Sequence, residues 1–180
     1  VVAVLKLALD GVIWGAFGTC GQRCTAASRV IIHKKVRQKF ERMLIERTKK
    51  LKLGDGLNPK TDIGPLVNKA AQDKVTGYIE IGKDEGAKLC CGGKVPKLKG
   101  WFVEPTVFTD ASPDMKIFQE EIFGPVTCIT EAKNLDHAID LANTVEYGLS
   151  SSIYTNDIRR MMLAIKNLEF GLVYINAPTT

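Results

Sequence analysis

Beyond residue 28, short β-branched runs alternate with stretches whose apolar residues recur at helical spacing, and few architectures accept that alternation. Ser28–His33, Lys88–Cys91, Phe102–Phe108, Val126–Glu131, Ser151–Tyr154 and Leu172–Ile175 read as strands or extended segments. Between them, Lys35–Lys52 places Val36, Phe40, Met43, Leu44 and Leu51 on one helical face, and Lys69–Gly86 turns Val75, Tyr78 and Ile79 inward. Leu135–Asn143 reads as a helix. Asp157 caps another that runs to about Asn167, with Ile158, Met161, Met162 and Ile165 expected inward. Strands alternating with helices imply an α/β architecture with a mainly parallel sheet and flanking helices. Val1–Phe17, apolar on most sides, adds a buried helix ahead of these elements. No repeat, low-complexity tract or linker divides the chain, so residues 1–180 read as a single domain.

The composition excludes several classes. Hydrophobic residues make up 45% and charged residues 25% of the chain, an ordinary globular balance that argues against disorder. A net charge of +5, with lysines scattered among acidic residues, gives no basic patch for nucleic acid. Lys6 and Asp10 interrupt the apolar start, which is short for a membrane span and lacks the basic leader of a signal peptide. Five cysteines without disulfide spacing favour a reducing, cytoplasmic compartment. The chain starts inside a helical pattern and stops at Ala177-Pro178-Thr179-Thr180 without a terminating element, and so reads as a piece of something longer.

Phe17–Arg29, F-G-T-C-G-Q-R-C-T-A-A-S-R, is the stretch richest in chemistry. Gly18 and Gly21 let the backbone approach a substrate, and backbone N–H groups near the Cys24 thiol can stabilise an oxyanion. Arg23 beside it favours the thiolate, which is the nucleophile. A buried structural cysteine is the competing reading, and the commoner fate of a free thiol. Cys20 reads as a small loop hydrophobe. Adjacent Cys90 and Cys91 rarely satisfy one tetrahedral metal, and His33 and His137 lack ligand spacing with them, so no metal is expected.

The block G-Q-R-C-T at Gly21–Thr25 resembles the active-site cysteine signature of the aldehyde dehydrogenase superfamily. Gln119–Val126, Q-E-E-I-F-G-P-V, is similar to that family's E-E-x-F-G-P motif. Gly64-Pro65-Leu66, Glu104-Pro105-Thr106-Val107, Asn143 with Tyr147-Gly148-Leu149, and Gly171–Asn176 resemble further family blocks in the expected order. The resemblance implies a three-layer catalytic domain that oxidises an aldehyde or semialdehyde with NAD or NADP. It makes Cys24 the nucleophile, with a thiohemiacetal and then a thioester on its sulfur. Glu121 matches the carboxylate on the nicotinamide ribose, Phe123 the aromatic beside the nicotinamide, and Asn176 a residue near the substrate entrance. A hydrogen bond holding the cysteine loop is the other reading of Asn176. Arg23 is a candidate contact for an anionic substrate. The family's whole protein is expected as a homodimer or homotetramer.

Thr19 departs from the Asn that many family members carry two residues before the G-Q pair, which bears on the branch more than on the family. The cysteine block and the Y-I-N-A-P-T ending resemble branches acting on semialdehydes, with non-phosphorylating glyceraldehyde-3-phosphate enzymes close by and a CoA-acylating reaction as a variant. No G-x-G-x-x-G phosphate loop and no E-L-G-G-K-type glutamate occur in the sequence. The nucleotide-binding domain, general base and oligomerisation segment are therefore expected outside this chain, leaving it inactive alone. A non-catalytic module of the same fold and a papain-like thiol hydrolase are the competing classes, the latter lacking a histidine in a matching motif.

Overall fold

The computed structural model describes residues 2–179; Val1 of the expected first helix, and Thr180, lie outside the described residues. Helix α1 spans Val2–Phe17 and strand β1 Arg29–His33, followed by helices α2 at Arg37–Thr48 and α3 at Lys69–Asp84. Strands β2 (Lys88–Cys91) and β3 (Thr106–Thr109), helix α4 (Lys116–Gln119) and strand β4 (Val126–Ala132) come next. Helix α5 (Leu135–Asn143), strand β5 (Ser150–Ile153), helix α6 (Ile158–Asn167) and strand β6 (Leu172–Ile175) complete the described chain. Four strands form one sheet in the order β1-β4-β3-β2, and β5 and β6 pair in a separate two-stranded sheet. Both β1 and β3 run parallel to β4, only β2 runs antiparallel to its neighbour, and β5 runs parallel to β6.

Strand β4 is the spine because its residues can be buried on both faces at once. Val126, Cys128 and Ile129 are buried together with Thr127 and Thr130, the near-continuous burial expected of a central parallel strand. The threonines keep their hydroxyls bonded, Thr127 Oγ1 to Ser28 O and Thr130 Oγ1 to Ala111 O, so their burial costs little. In edge strand β1, Val30 and Ile32 are buried and their neighbours less so. Phe40 and Leu44 of α2, Val75 and Ile79 of α3, and Phe108, Ile117 and Phe118 share one core with them. Asn68, Asn134 and Asp157 cap α3, α5 and α6 by accepting from backbone N–H groups. No helix among the described residues is long and apolar enough to cross a membrane.

Several expectations need correction. Helix α2 starts at Arg37 and ends at Thr48, inside the expected Lys35–Lys52. The segment expected as extended from Phe102 joins the sheet only at Thr106, because Pro105 has no N–H to give to a ladder. Ile158, Met162 and Ile165 of α6, expected inward, are exposed, and Ala164 is the helix's buried residue. Helical spacing tells which residues share a face but not what covers that face. Here α6 packs mainly against the short helix α5, which covers little of it.

Truncating the spine should be costly. Ile129→Ala, at a fully buried position, is expected to lower the unfolding free energy by about 2–5 kcal/mol. Denaturant titration reads this, and an unchanged midpoint would remove β4 from the core.

Candidate active site

Between α1 and β1 the chain makes an unusual turn. Thr19, Cys20 and Gly21 follow one another with φ of 70°, 57° and 66°, the left-handed region that only glycine enters freely. Such strain persists where the surroundings over-determine it. Here Cys20 N–H donates to Phe17 O and Gln22 N–H to Thr19 O, while the Cys20 side chain is buried. At Gly21 a Cβ would meet Gly124 O at 2.0 Å, and at Gly124 one would meet Val75 Cγ2 at 2.3 Å. The cysteine loop therefore lies backbone to backbone on the F-G-P turn, which in turn lies on α3.

The next side chains anchor this loop in different directions. Gln22 accepts from Val67 N–H at 3.0 Å and donates to Pro65 O at 3.4 Å, tying in the G-P-L turn. Arg23 lies over the Trp14 ring, 5.3 Å from its centroid, and Nη2 reaches Trp14 O and Thr179 O at 3.5 Å. Its cation thus sits at the C-terminal end of α1, where free carbonyls favour positive charge. Cys24 follows, exposed and free. Its N–H donates to no acceptor among the described residues, which leaves it available to an oxyanion.

Cys24, Glu121, Phe123 and Tyr147 line one cleft of about 260 Å³. Phe123 holds φ at 58° and is 41% exposed, a strained backbone and an open position that serve packing poorly. The Glu121 backbone carbonyl accepts from Lys74 Nζ at 3.0 Å. Its carboxylate has no hydrogen bond or ion pair among the described residues, so it remains free to accept a ligand hydroxyl. Next to it, Tyr78 O–H donates to Glu120 Oε2 at 2.5 Å, and this hydrogen bond, helped by burial, pushes the Tyr78 pKa up to about 12. Arg29, also on the cleft wall, donates to Phe118 O at 3.1 Å. Burial lowers its pKa, but a guanidinium starts so high that it keeps its charge.

The remaining candidates lie elsewhere. Asn176 accepts from Thr155 N–H and donates to Thr155 O, each at 2.9 Å; it clamps the turn after β5, and its partner is not the cysteine loop. Cys20 and Cys128 are buried, which pushes both thiols up to about 12. His33 and His137 accept from the backbone N–H groups of Lys35 and Lys133. Neither histidine lines the cleft, so no general base of the papain kind faces Cys24. Arg29, Lys74 and Tyr147 were not assigned roles from the sequence. Arg29 and Tyr147 stand inside or beside recognisable blocks, whereas Lys74 carries no signal beyond helical spacing.

A family model described as "Aldehyde dehydrogenase family" matches residues 2–180. The betaine aldehyde dehydrogenase of Brucella anthropi is 47% identical over 179 residues, 97% of this chain and 37% of that protein. The Mesorhizobium japonicum betaine aldehyde dehydrogenase is 44% identical, with the same shares covered. A crystal structure of betaine aldehyde dehydrogenase from Staphylococcus aureus in complex with NAD+ superposes with a TM-score of 0.95 at 37% identity, over 98% of this chain and 36% of that one. A 1-pyrroline-5-carboxylate dehydrogenase gives a TM-score of 0.94 at 36% identity, over 98% and 34%. The chain thus spans little more than a third of the length of the relatives it matches.

The close approach at Gly21 predicts intolerance of even one methyl. Gly21→Ala combines a left-handed φ with a clash against Gly124 O, and is expected to cost more than about 1 kcal/mol of stability and to shift the rate at which Cys24 reacts. Thermal or denaturant unfolding of the variant reads the first effect and thiol labelling the second.

Proposed function

The chain belongs to the aldehyde dehydrogenase family, an oxidoreductase family, and on that premise we propose that it is the cysteine-bearing catalytic domain of an NAD(P)-dependent enzyme oxidising an aldehyde to a carboxylic acid. The observation that carries this reading is the meeting of Cys24 with Glu121 and Phe123 in one cleft, although the cysteine is far in sequence from the other two. In this reading the Cys24 sulfur adds to the aldehyde carbon, and the carbonyl oxygen becomes an oxyanion within reach of the unpaired Cys24 N–H. The bound dinucleotide supplies a hydride acceptor. The carbon left on sulfur is then a thioester, which water cleaves to release the acid and the thiol.

The chain's own residues fit the nicotinamide end of such a cofactor. Phe123 offers an exposed ring face in the cleft wall, and the free Glu121 carboxylate can accept from a ribose hydroxyl. Arg23, engaged with Trp14 and Thr179, acts more readily through the cysteine loop than on a substrate anion. Asn176 acts through the Thr155 turn. The substrate we propose is an aldehyde or semialdehyde. No glycine-rich phosphate loop occurs in the 180 residues, which supports a chain that binds the dinucleotide poorly and is inactive by itself. Free thiols throughout support a reducing, cytoplasmic setting. The uncovered apolar side of α6 supports burial of that side in a longer protein, as a homodimer or homotetramer.

Alkylation tests the assignment on the chain itself. Sub-stoichiometric iodoacetamide at neutral pH should modify Cys24 first. Cys20 and Cys128, whose buried thiols are raised to about 12, should stay unmodified until the protein unfolds. Peptide mapping that found the five cysteines equally labelled would remove Cys24 from its role. Aldehyde-dependent NADH formation by the 180-residue chain alone would overturn the proposed inactivity.

A further inference from the structure

Away from the cleft, β2 ends in two adjacent cysteines, Cys90 and Cys91, that have no part in the chemistry above. In the antiparallel pairing of β2 with β3, Lys88 stands opposite Thr109, Leu89 opposite Phe108 and Cys91 opposite Val107. Cys90 has no partner across the ladder and is the extra residue of a β-bulge. Neighbours in a regular strand face opposite sides, and the bulge cancels that alternation. Val107 and Thr109, two apart on β3, share a face. Cys91 stands opposite Val107, and Cys90 Sγ lies 3.3 Å from Thr109 Oγ1. Both thiols therefore lie on the same face of the sheet, both half-buried and both free. Helix α2 touches β2 and β3, and Lys49 at its end is close enough to act on the Cys91 thiol, as is Cys90. Cys90 also lines an open groove of about 700 Å³ that includes Lys49.

We propose that Cys90 and Cys91 form a second thiol site, a vicinal pair that chelates a soft thiophilic centre of the trivalent arsenical class. Adjacent Cα atoms lie about 3.8 Å apart, closer than the roughly 4.4–6.8 Å spanned by ordinary disulfides, so the pair is poorly placed to close on itself. A bridging atom relieves that constraint by holding the two sulfurs further apart. Among the described residues no group of three Cys, His, Asp or Glu could hold a metal ion, so a tetrahedral zinc site is not built here. A centre that needs two sulfurs and brings its own third substituent suits the pair. With an organic arsenoxide the step balances without redox change. Two S–H groups give two As–S bonds, and the As=O oxygen leaves as water with both protons while arsenic stays trivalent.

Phenylarsine oxide is the probe. One equivalent added to the 180-residue chain should give a single adduct, heavier by the reagent less one water in intact-mass spectra. The adduct should survive excess 2-mercaptoethanol and be removed by 2,3-dimercaptopropanol, as two-sulfur chelation requires. Cys90→Ser and Cys91→Ser should each lose the monothiol-resistant adduct, and Cys24→Ser should keep it. An adduct that persists in C90S, that a monothiol removes, that disappears in C24S, or that fails to form at one equivalent would overturn the proposal. Should C91S fail to fold by circular dichroism, the half-exposed C90S, with peptide mapping of the wild-type adduct, decides alone.

Discussion

Where the cysteine loop crosses the F-G-P turn there is no space for a side chain on either strand of backbone. Gly21 faces the Gly124 carbonyl and Gly124 faces the Val75 side chain, so the loop rests main chain on main chain on the turn, and the turn rests directly on a side chain of α3. The rest of the site follows from this contact. It fixes the height of the cysteine loop over the turn that carries Glu121 and Phe123. It also forces the left-handed run at Thr19, Cys20 and Gly21, because a loop that leaves a helix and drops onto another backbone within a few residues needs tight reversal. The strain is offset by burial of Cys20 and by the Gln22 bonds to Pro65 and Val67.

The cleft opens at an end of the sheet where ligands in α/β folds are less often found. Ser28, Val126 and Ser150 line it, and these residues immediately precede or begin β1, β4 and β5. Open parallel sheets usually bind ligands beyond the carboxyl ends of their strands. At the amino ends the nearby helix terminus belongs to α1 and is its C-terminal, negative end, which disfavours a thiolate. Arg23, seated on Trp14 O, counters that end with a full positive charge. Arg29 adds a second retained cation to the cleft wall. The electrostatics around Cys24 are thus built from side chains, with the helix dipole opposing them.

Much of this was legible in the residues, and what was not has physical reasons. The strands at Lys88–Cys91 and Leu172–Ile175 and the helix at Leu135–Asn143 stand as their patterns imply, since apolar periodicity and turn residues are local signals. The inward face assigned to α6 failed because a periodic stripe needs a surface to lie against, and the short α5 packed on it offers little. The role of Arg23 was hidden because its partners, Trp14 and Thr179, come from opposite ends of the chain. Motif similarity singled out Cys24, Glu121 and Phe123, but the contact between Gly21 and Gly124 that aligns them is tertiary. The bulge at Cys90 likewise shows only in register.

Phe123 illustrates a general tension. A bulky residue held at φ 58° with much of its ring in water serves the fold badly twice over, through backbone strain and through unburied apolar surface. Glycine at that position would relieve both and leave the turn more comfortable. Selection for robustness alone would therefore erode the aromatic, and on the proposed reading its presence is a compromise in which durability yields to use.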